Sequence, residues 1–210
     1  MIRLPPPLVA LTPGDLSAET ARTVLQPIGA AVRAGLAGIL LREPSLPDRV
    51  FLDLAREIRA LLGRERWFAI HDRVHLAAAS GADGAHVGFR SLAPAEARGV
   101  VGESIAVGFS AHARDDAGRW DGADYLFFGP VKDTPSKRGL EDATGFDGLA
   151  AAVRRSAQPV WAIGGLAPED AASCRAVGAA GVAVLSRILP SRSPGTAVAE
   201  YLAALAILPS

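Results

Sequence analysis

The chain has 210 residues, half of them hydrophobic, with 22 basic and 22 acidic side chains and no net charge. That length suits one domain with a substantial core, and a mean hydropathy of +0.24 excludes a disordered chain. A pI near 6.9 supplies no global field for nucleic acid or an anionic membrane, so any anion binding must be local.

The opening MIRLPPPLVAL has too short an apolar run for a signal peptide or a membrane span, and the expectation is a cytoplasmic protein. Short apolar runs then recur at 8–11, 38–43, 67–72, 84–88, 104–112, 125–131, 159–165 and 181–188. They are nearly continuous rather than alternating, as parallel strands covered on both faces should be. Helical patterns lie between them, at 17–35, 46–63, 146–156, 167–178 and 196–208. In the second, Ser45 and Asp48 resemble a capping box, Pro47 fits the first turn and Gly63 the stop. The patterns after the third to fifth strands are short, and 113–121 is weak. Cys174, the one cysteine, excludes an internal disulfide and a cysteine-based zinc site, and falls on the core side of a helix.

About eight strand–helix units in a single domain spanning 1–210 predict an α/β chain folded as a (β/α)8 TIM barrel. A doubly wound sheet would need a glycine-rich fingerprint after the first strand, and LTPGDLSAET lacks one.

In such a barrel, chemistry gathers where the strands end. Those ends carry Arg42 and Glu43, His71 and Asp72, Gly88, Ser110 and His112, Gly129 through Lys137, Gly164 and Gly165, and Ser186. Thr134, Ser136 and Lys137 offer two hydroxyls and an ammonium to a phosphate, or form a solvated basic loop. Gly164 and Gly165 let backbone N–H groups approach a ligand, with Ser186 beside them, or make a tight turn. Asp72 suits Mg²⁺, or else pairs with Arg73 or caps the helix beginning near Val74. Arg42 clamps an anion or bridges across the barrel mouth. His71 and His112 are the candidates for proton transfer, whereas His75 and His86 read as structural, with His86 filling the interior. Trp67 and Trp161 read as packing.

In order along the chain, RVHLAAASGADGAHVG, VGFSAH, GADYLFFGPVKDTPSK and VWAIGGLAPEDAASCRAVGAAGVAVLS resemble the thiamine phosphate synthase family and its relative, the thiazole tautomerases. The resemblance implies a barrel that joins hydroxymethylpyrimidine diphosphate to a thiazole phosphate, releasing pyrophosphate with Mg²⁺. It further implies that Lys137 stabilises the departing diphosphate with Thr134 and Ser136, and that Arg42 binds the same group. Ser110 would face the pyrimidine, Asp72 would hold the metal, and Gly165, Leu185 and Ser186 would hold the thiazole phosphate. Small phosphorylated substrates are the implied partners. A homodimer is the commonest assembly.

The chain departs from the synthase pattern where Leu40 and Pro44 replace a glutamine and a lysine, and where His71 replaces an asparagine. The G-Q-E-D segment is Gly88-Phe89-Arg90-Ser91, so Ser91 stands where the second metal-binding aspartate belongs. Pro130 replaces the histidine that tautomerases use as a proton shuttle. The leading expectation is a synthase-like transferase with a weakened metal site. A tautomerase-like isomerase using His71 or His112, and a non-catalytic binder of thiazole or thiamine phosphate, are the alternatives.

Overall fold

In a computed structural model, which describes residues 2–134 and 142–206, the eight apolar runs form eight parallel strands. These are β1 (Leu8–Leu11), β2 (Gly38–Leu41), β3 (Trp67–His71), β4 (Gly84–Val87), β5 (Ala106–Ala111), β6 (Tyr125–Phe128), β7 (Val160–Ile163) and β8 (Gly181–Val184). Each pairs with its successor, and β8 returns to β1 through Val184 opposite Ala10, which closes the barrel.

Each strand has two buried faces, which is why no alternation is visible in the sequence. Ile39, Leu41, Phe68, Ile70, Leu126 and Phe128 face outward into one core shared with the helices. Val9, Leu40, Trp67, Tyr125, Phe127 and Trp161 form a second core inside the barrel. The interior rings pack edge-on or tilted, with Trp67 and Tyr125 at 81° and centroids 5.8 Å apart.

The outer layer comprises α1 (Leu25–Arg33), α2 (Asp48–Leu62), α3 (Ala77–Ser80), α4 (Pro94–Val101), α5 (Gly145–Arg155), α6 (Asp170–Ala176) and α7 (Pro194–Leu205). The 17–35 pattern begins instead with a 3-10 turn at Ala21–Val24, and the weak 113–121 pattern yields only a 3-10 turn at Ala117–Trp120. The Ser45–Asp48 capping box does not form: Pro47 is itself the N-cap of α2, and no side chain caps that end. Gly63 does end α2, at φ +67°. Cys174 is fully buried, and burial pushes its thiol up to about 12.

Two buried-side carboxylates repeat one arrangement at the opposite end of the barrel from the strand termini. Asp83 and Asp124, each just ahead of a strand, accept the backbone N–H of Phe68 (2.9 Å) and Val107 (2.7 Å) in the preceding strand. Arg59 and Arg98 neutralise them. The proline-rich opening plugs the same end, since Trp67 Nε1 donates to the Arg3 carbonyl (3.1 Å) and Trp161 Nε1 to the Pro6 carbonyl (2.8 Å). Both tryptophans are therefore packing residues.

The plug leaves no room at the start of β8. A methyl group on Gly181 would lie 2.2 Å from the Pro7 carbonyl oxygen. Gly181→Ala is expected to cost about 1–3 kcal/mol through backbone displacement, measured by urea unfolding. Gly99→Ala is the contrast: nothing lies within 4 Å of its added methyl in α4, and it should gain about 0.5–1 kcal/mol from helix propensity.

Candidate active site

The rim at the C-terminal ends of the strands is built in three sectors. In the first, the Arg42 N–H donates to Thr12 Oγ1 (2.8 Å), tying the ends of β1 and β2. Glu43, only 1 % exposed, accepts the N–H groups of Gly14 and Leu16, both at 2.9 Å. Gly14 adopts φ +93°, and a methyl there would lie 2.5 Å from Arg42 Nη1. The glycine thus makes room for the guanidinium. Among the described residues Arg42 has no carboxylate partner.

The second sector spans β3 to β5. Asp72 sits at φ +58°, a left-handed conformation uncommon outside glycine. It neither pairs with Arg73, which instead bonds Asp48 and the Glu43 carbonyl, nor caps the following 3-10 turn (Val74–Leu76). Its carboxylate accepts the Gly88 N–H (3.1 Å) and lies 3.1 Å from His71 Nδ1. Burial pushes the Asp72 pKa up, but the bonds and charge of His71, the Gly88 N–H and the Ser91 hydroxyl outweigh it and hold the group at about 2. His86 fills the interior as the sequence predicts, and its Nε2 also reaches Ser110 Oγ at 2.9 Å. His112 is buried, with Nδ1 3.8 Å from Asp115 and its ring edge-on to Phe89. Both proton-transfer candidates therefore sit against a carboxylate. His75 makes an exposed contact with Asp48.

The third sector joins β6 to β8. Val131 donates to the Ile163 carbonyl (2.9 Å) and Lys132 to the Gly164 carbonyl (3.0 Å), so the β6–β7 pairing continues into the loops. Gly164 and Gly165 have φ +99° and +67°, and methyl groups there would meet Pro130 and the carbonyls of Lys132 and Asp133. Close approach of the neighbouring loop, not only a tight turn, requires them. Lys132 is held by Asp170 at 2.9 Å, and Asp170 also accepts the Ala167 N–H. Thr134 follows this stitched segment, half-buried, while Ser136 and Lys137 lie outside the described residues. Leu185 is half-buried and Ser186 exposed just past β8.

The sequence reading missed Thr12, Glu43 and Asp170 as the anchors of these loops. Thr12 and Glu43 accept backbone N–H groups distant in sequence, and Asp170 joins the nearby Ala167 N–H to the distant Lys132 ammonium, links that no local motif records. It also missed the His86–Ser110 contact, although the spacing of both residues on adjacent parallel strands permits it.

As a metal site the sector around Asp72 is sparse. Among the described residues no three His, Cys, Asp or Glu side chains converge. A single carboxylate beside an exposed Ser91 does not fit Mg²⁺ held by the protein alone. It fits Mg²⁺ carried chiefly by substrate oxygens and water, with Asp72 as the one protein anion.

The depressed Asp72 pKa has a signed consequence for stability. Its ionised form favours the fold above the ordinary value of 3.8, and that contribution is lost as pH falls toward about 2. Chemical denaturation across this window is expected to show a shallower acid loss for Asp72→Asn than for the wild type. The effect is modest because the Asp72 side chain is 47 % exposed.

The family model described as thiamine monophosphate synthase matches residues 8–188. The chain is 38 % identical over 188 residues to the thiamine-phosphate synthase of Xanthobacter autotrophicus, covering 88 % of this chain and 89 % of that one. It is 37 % identical over 175 residues to the thiamine-phosphate synthase of Gloeobacter violaceus, covering 82 % of this chain and about half (51 %) of that longer one. Thiamine phosphate pyrophosphorylase from Pyrococcus furiosus superposes with a TM-score of 0.82 at 25 % identity, covering 94 % of both chains. With the barrel and its polar rim, these matches establish that the chain belongs to the thiamine monophosphate synthase family.

Proposed function

We propose that the protein is a thiamine-phosphate synthase, a transferase of thiamine biosynthesis. It joins hydroxymethylpyrimidine diphosphate to thiazole phosphate and releases pyrophosphate. The observation that carries this reading is the family match over 8–188, in a chain whose Arg42, Asp72, Ser110 and Thr134 share one rim of the barrel.

The bond between the pyrimidine methylene and the diphosphate oxygen breaks, leaving its electron pair on the diphosphate. The thiazole nitrogen then attacks the pyrimidine cation. Arg42, whose guanidinium has no carboxylate partner among the described residues, and Lys137, with Thr134 and Ser136, take the diphosphate charge as it develops. Ser110 faces the pyrimidine. Gly164, Gly165, Leu185 and Ser186 receive the thiazole phosphate, the usual position for phosphate in such barrels. Asp72 would hold Mg²⁺ together with the substrate; when bound, the ion supplies further neutralisation of the leaving group. Pro130 cannot shuttle a proton at the position where the tautomerases carry their histidine, which favours the synthase reading over the isomerase one.

Purified protein incubated with both phosphorylated substrates and Mg²⁺ should form thiamine phosphate. Absence of product at high enzyme concentration would overturn the proposal. Arg42→Ala should lower kcat/KM for the diphosphate substrate by roughly 100-fold, the scale of one charge-assisted donor aimed at developing charge. Ser91→Asp, which adds a second carboxylate beside Asp72, should lower the half-saturating Mg²⁺ concentration by about tenfold.

A further inference from the structure

At the end of the barrel opposite the rim, a cleft of about 540 Å³ lies between the N-terminal segment, the end of α2 and the Gly81 turn. Arg3, Arg59 and Arg64 line it, against one carboxylate, Asp83. Asp83 is already paired twice, with Arg3 (3.1 Å) and Arg59 (3.0 Å), and also accepts the Phe68 N–H. Glu65, a further carboxylate at this end, is paired with Arg66 at 2.8 Å. The Arg64 side chain makes no hydrogen bond or ion pair among the described residues. The cleft thus holds a surplus of two positive charges in a chain with no net charge.

Holding the fold together does not require that surplus. Asp124 does for β5 what Asp83 does for β3, and among the described residues Arg98 alone neutralises it. Arg98 and Arg175 also tie down carbonyls that follow their helices, as Arg59 does with that of Arg66. Arg3 and Arg64 are what this corner adds. Arg3 fastens the plug by donating to the Arg64 and Glu65 carbonyls, whereas the Arg64 guanidinium fastens nothing. Both charges crowd Arg59, whose side chain is only 17 % exposed and whose Nε is buried without a hydrogen-bond partner. Burial, with repulsion from Arg3 and Arg64, pulls the Arg59 pKa down against the attraction of Asp83. Like charges gathered around a partly desolvated one are unfavourable, and a bound anion relieves them.

We propose that this cleft is a second anion site, which binds a diphosphate-bearing small molecule of nucleotide size through Arg3 and Arg64. Guanidinium forks match phosphate oxygens in geometry as well as charge. A surplus of two charges suits a diphosphate and would be only half met by a carboxylate. The volume falls in the range of small-ligand sites, and a neutral chain offers no field that would hold a nucleic-acid polymer there. The site is separate from the rim, because Arg3 precedes β1, Arg64 precedes β3 and Asp83 precedes β4. It would be coupled to the plug, since the Arg3 carbonyl holds the Trp67 indole N–H.

That indole is a reporter for the test, and the Trp120 indole, which has no bond to the plug, is its control. Titrating ADP into ¹⁵N-labelled protein without Mg²⁺ should shift the Trp67 signal saturably and leave the Trp120 signal in place. Arg64→Glu should weaken ADP binding about tenfold, as for one lost charge-assisted contact. Arg64→Lys should retain most of it. Neither substitution removes a bond that the fold uses, so both variants should stay folded. Arg42→Ala, which alters the rim alone, should bind ADP at this site as the wild type does. Inorganic pyrophosphate should compete with ADP for it, and adenosine should not. No saturable Trp67 shift overturns the proposal, and so does a shift that Arg64→Glu leaves unchanged. Loss of the Trp67 shift in Arg42→Ala would place ADP at the rim, and competition by adenosine would make the base the recognised part; either result overturns it. These readouts do not depend on turnover, so a protein that forms no thiamine phosphate fails the functional reading while ADP binding still decides this one.

Discussion

Everything at the rim depends on how the inside of a small barrel is filled. Eight strands enclose a space that side chains must occupy at crystal-like density. Here a few large rings, Trp67, Tyr125, Phe127 and Trp161, occupy much of it. They fit because their neighbours are glycine or alanine: a methyl on Gly108 would overlap Tyr125, and one on Gly84 would lie 3.1 Å from Trp67. Each fully buried aromatic is worth roughly 1.5–3 kcal/mol relative to exposure. The same packing brings His86 and Tyr125 into the interior, where His86 Nδ1 and Tyr125 Oη have no hydrogen-bond partner among the described residues.

Acidic residues do much of the remaining fixing. Glu43, Asp83, Asp115, Asp124 and Asp170 each accept at least one backbone N–H, and all but Glu43 also meet a basic group. Five of the 22 acidic side chains thus serve internal attachment. At the rim Asp72 differs from these anchors, because its side chain is about half exposed and its conformation is left-handed.

The strands, their order and most helices were legible because parallel strands covered on both faces leave long apolar runs, and because glycines and prolines mark the boundaries. Gly63 ended its helix as read, while Ser45 did not cap it, because the chain entering α2 turns at Pro47 instead. The strand-end residues were also legible, since polarity appears abruptly where each run stops. Their partners were not. The sequence places Lys132 in a cationic cluster, yet its ammonium belongs to Asp170, thirty-eight residues on. Asp72 next to Arg73 suggests a pair that the backbone turn prevents, sending Arg73 toward Asp48. In each case proximity along the chain was overruled by a contact that only barrel closure creates.

The anchoring of Arg42 bears on the entropy of ligand capture. Its own N–H is bonded to Thr12, and the next residue, Glu43, is fastened by two bonds to the loop after β1. The backbone beneath the guanidinium is therefore already ordered before any anion arrives. What an incoming phosphate must immobilise is confined to the torsions of one side chain, a cost of about 0.5–1.5 kcal/mol rather than that of a loop.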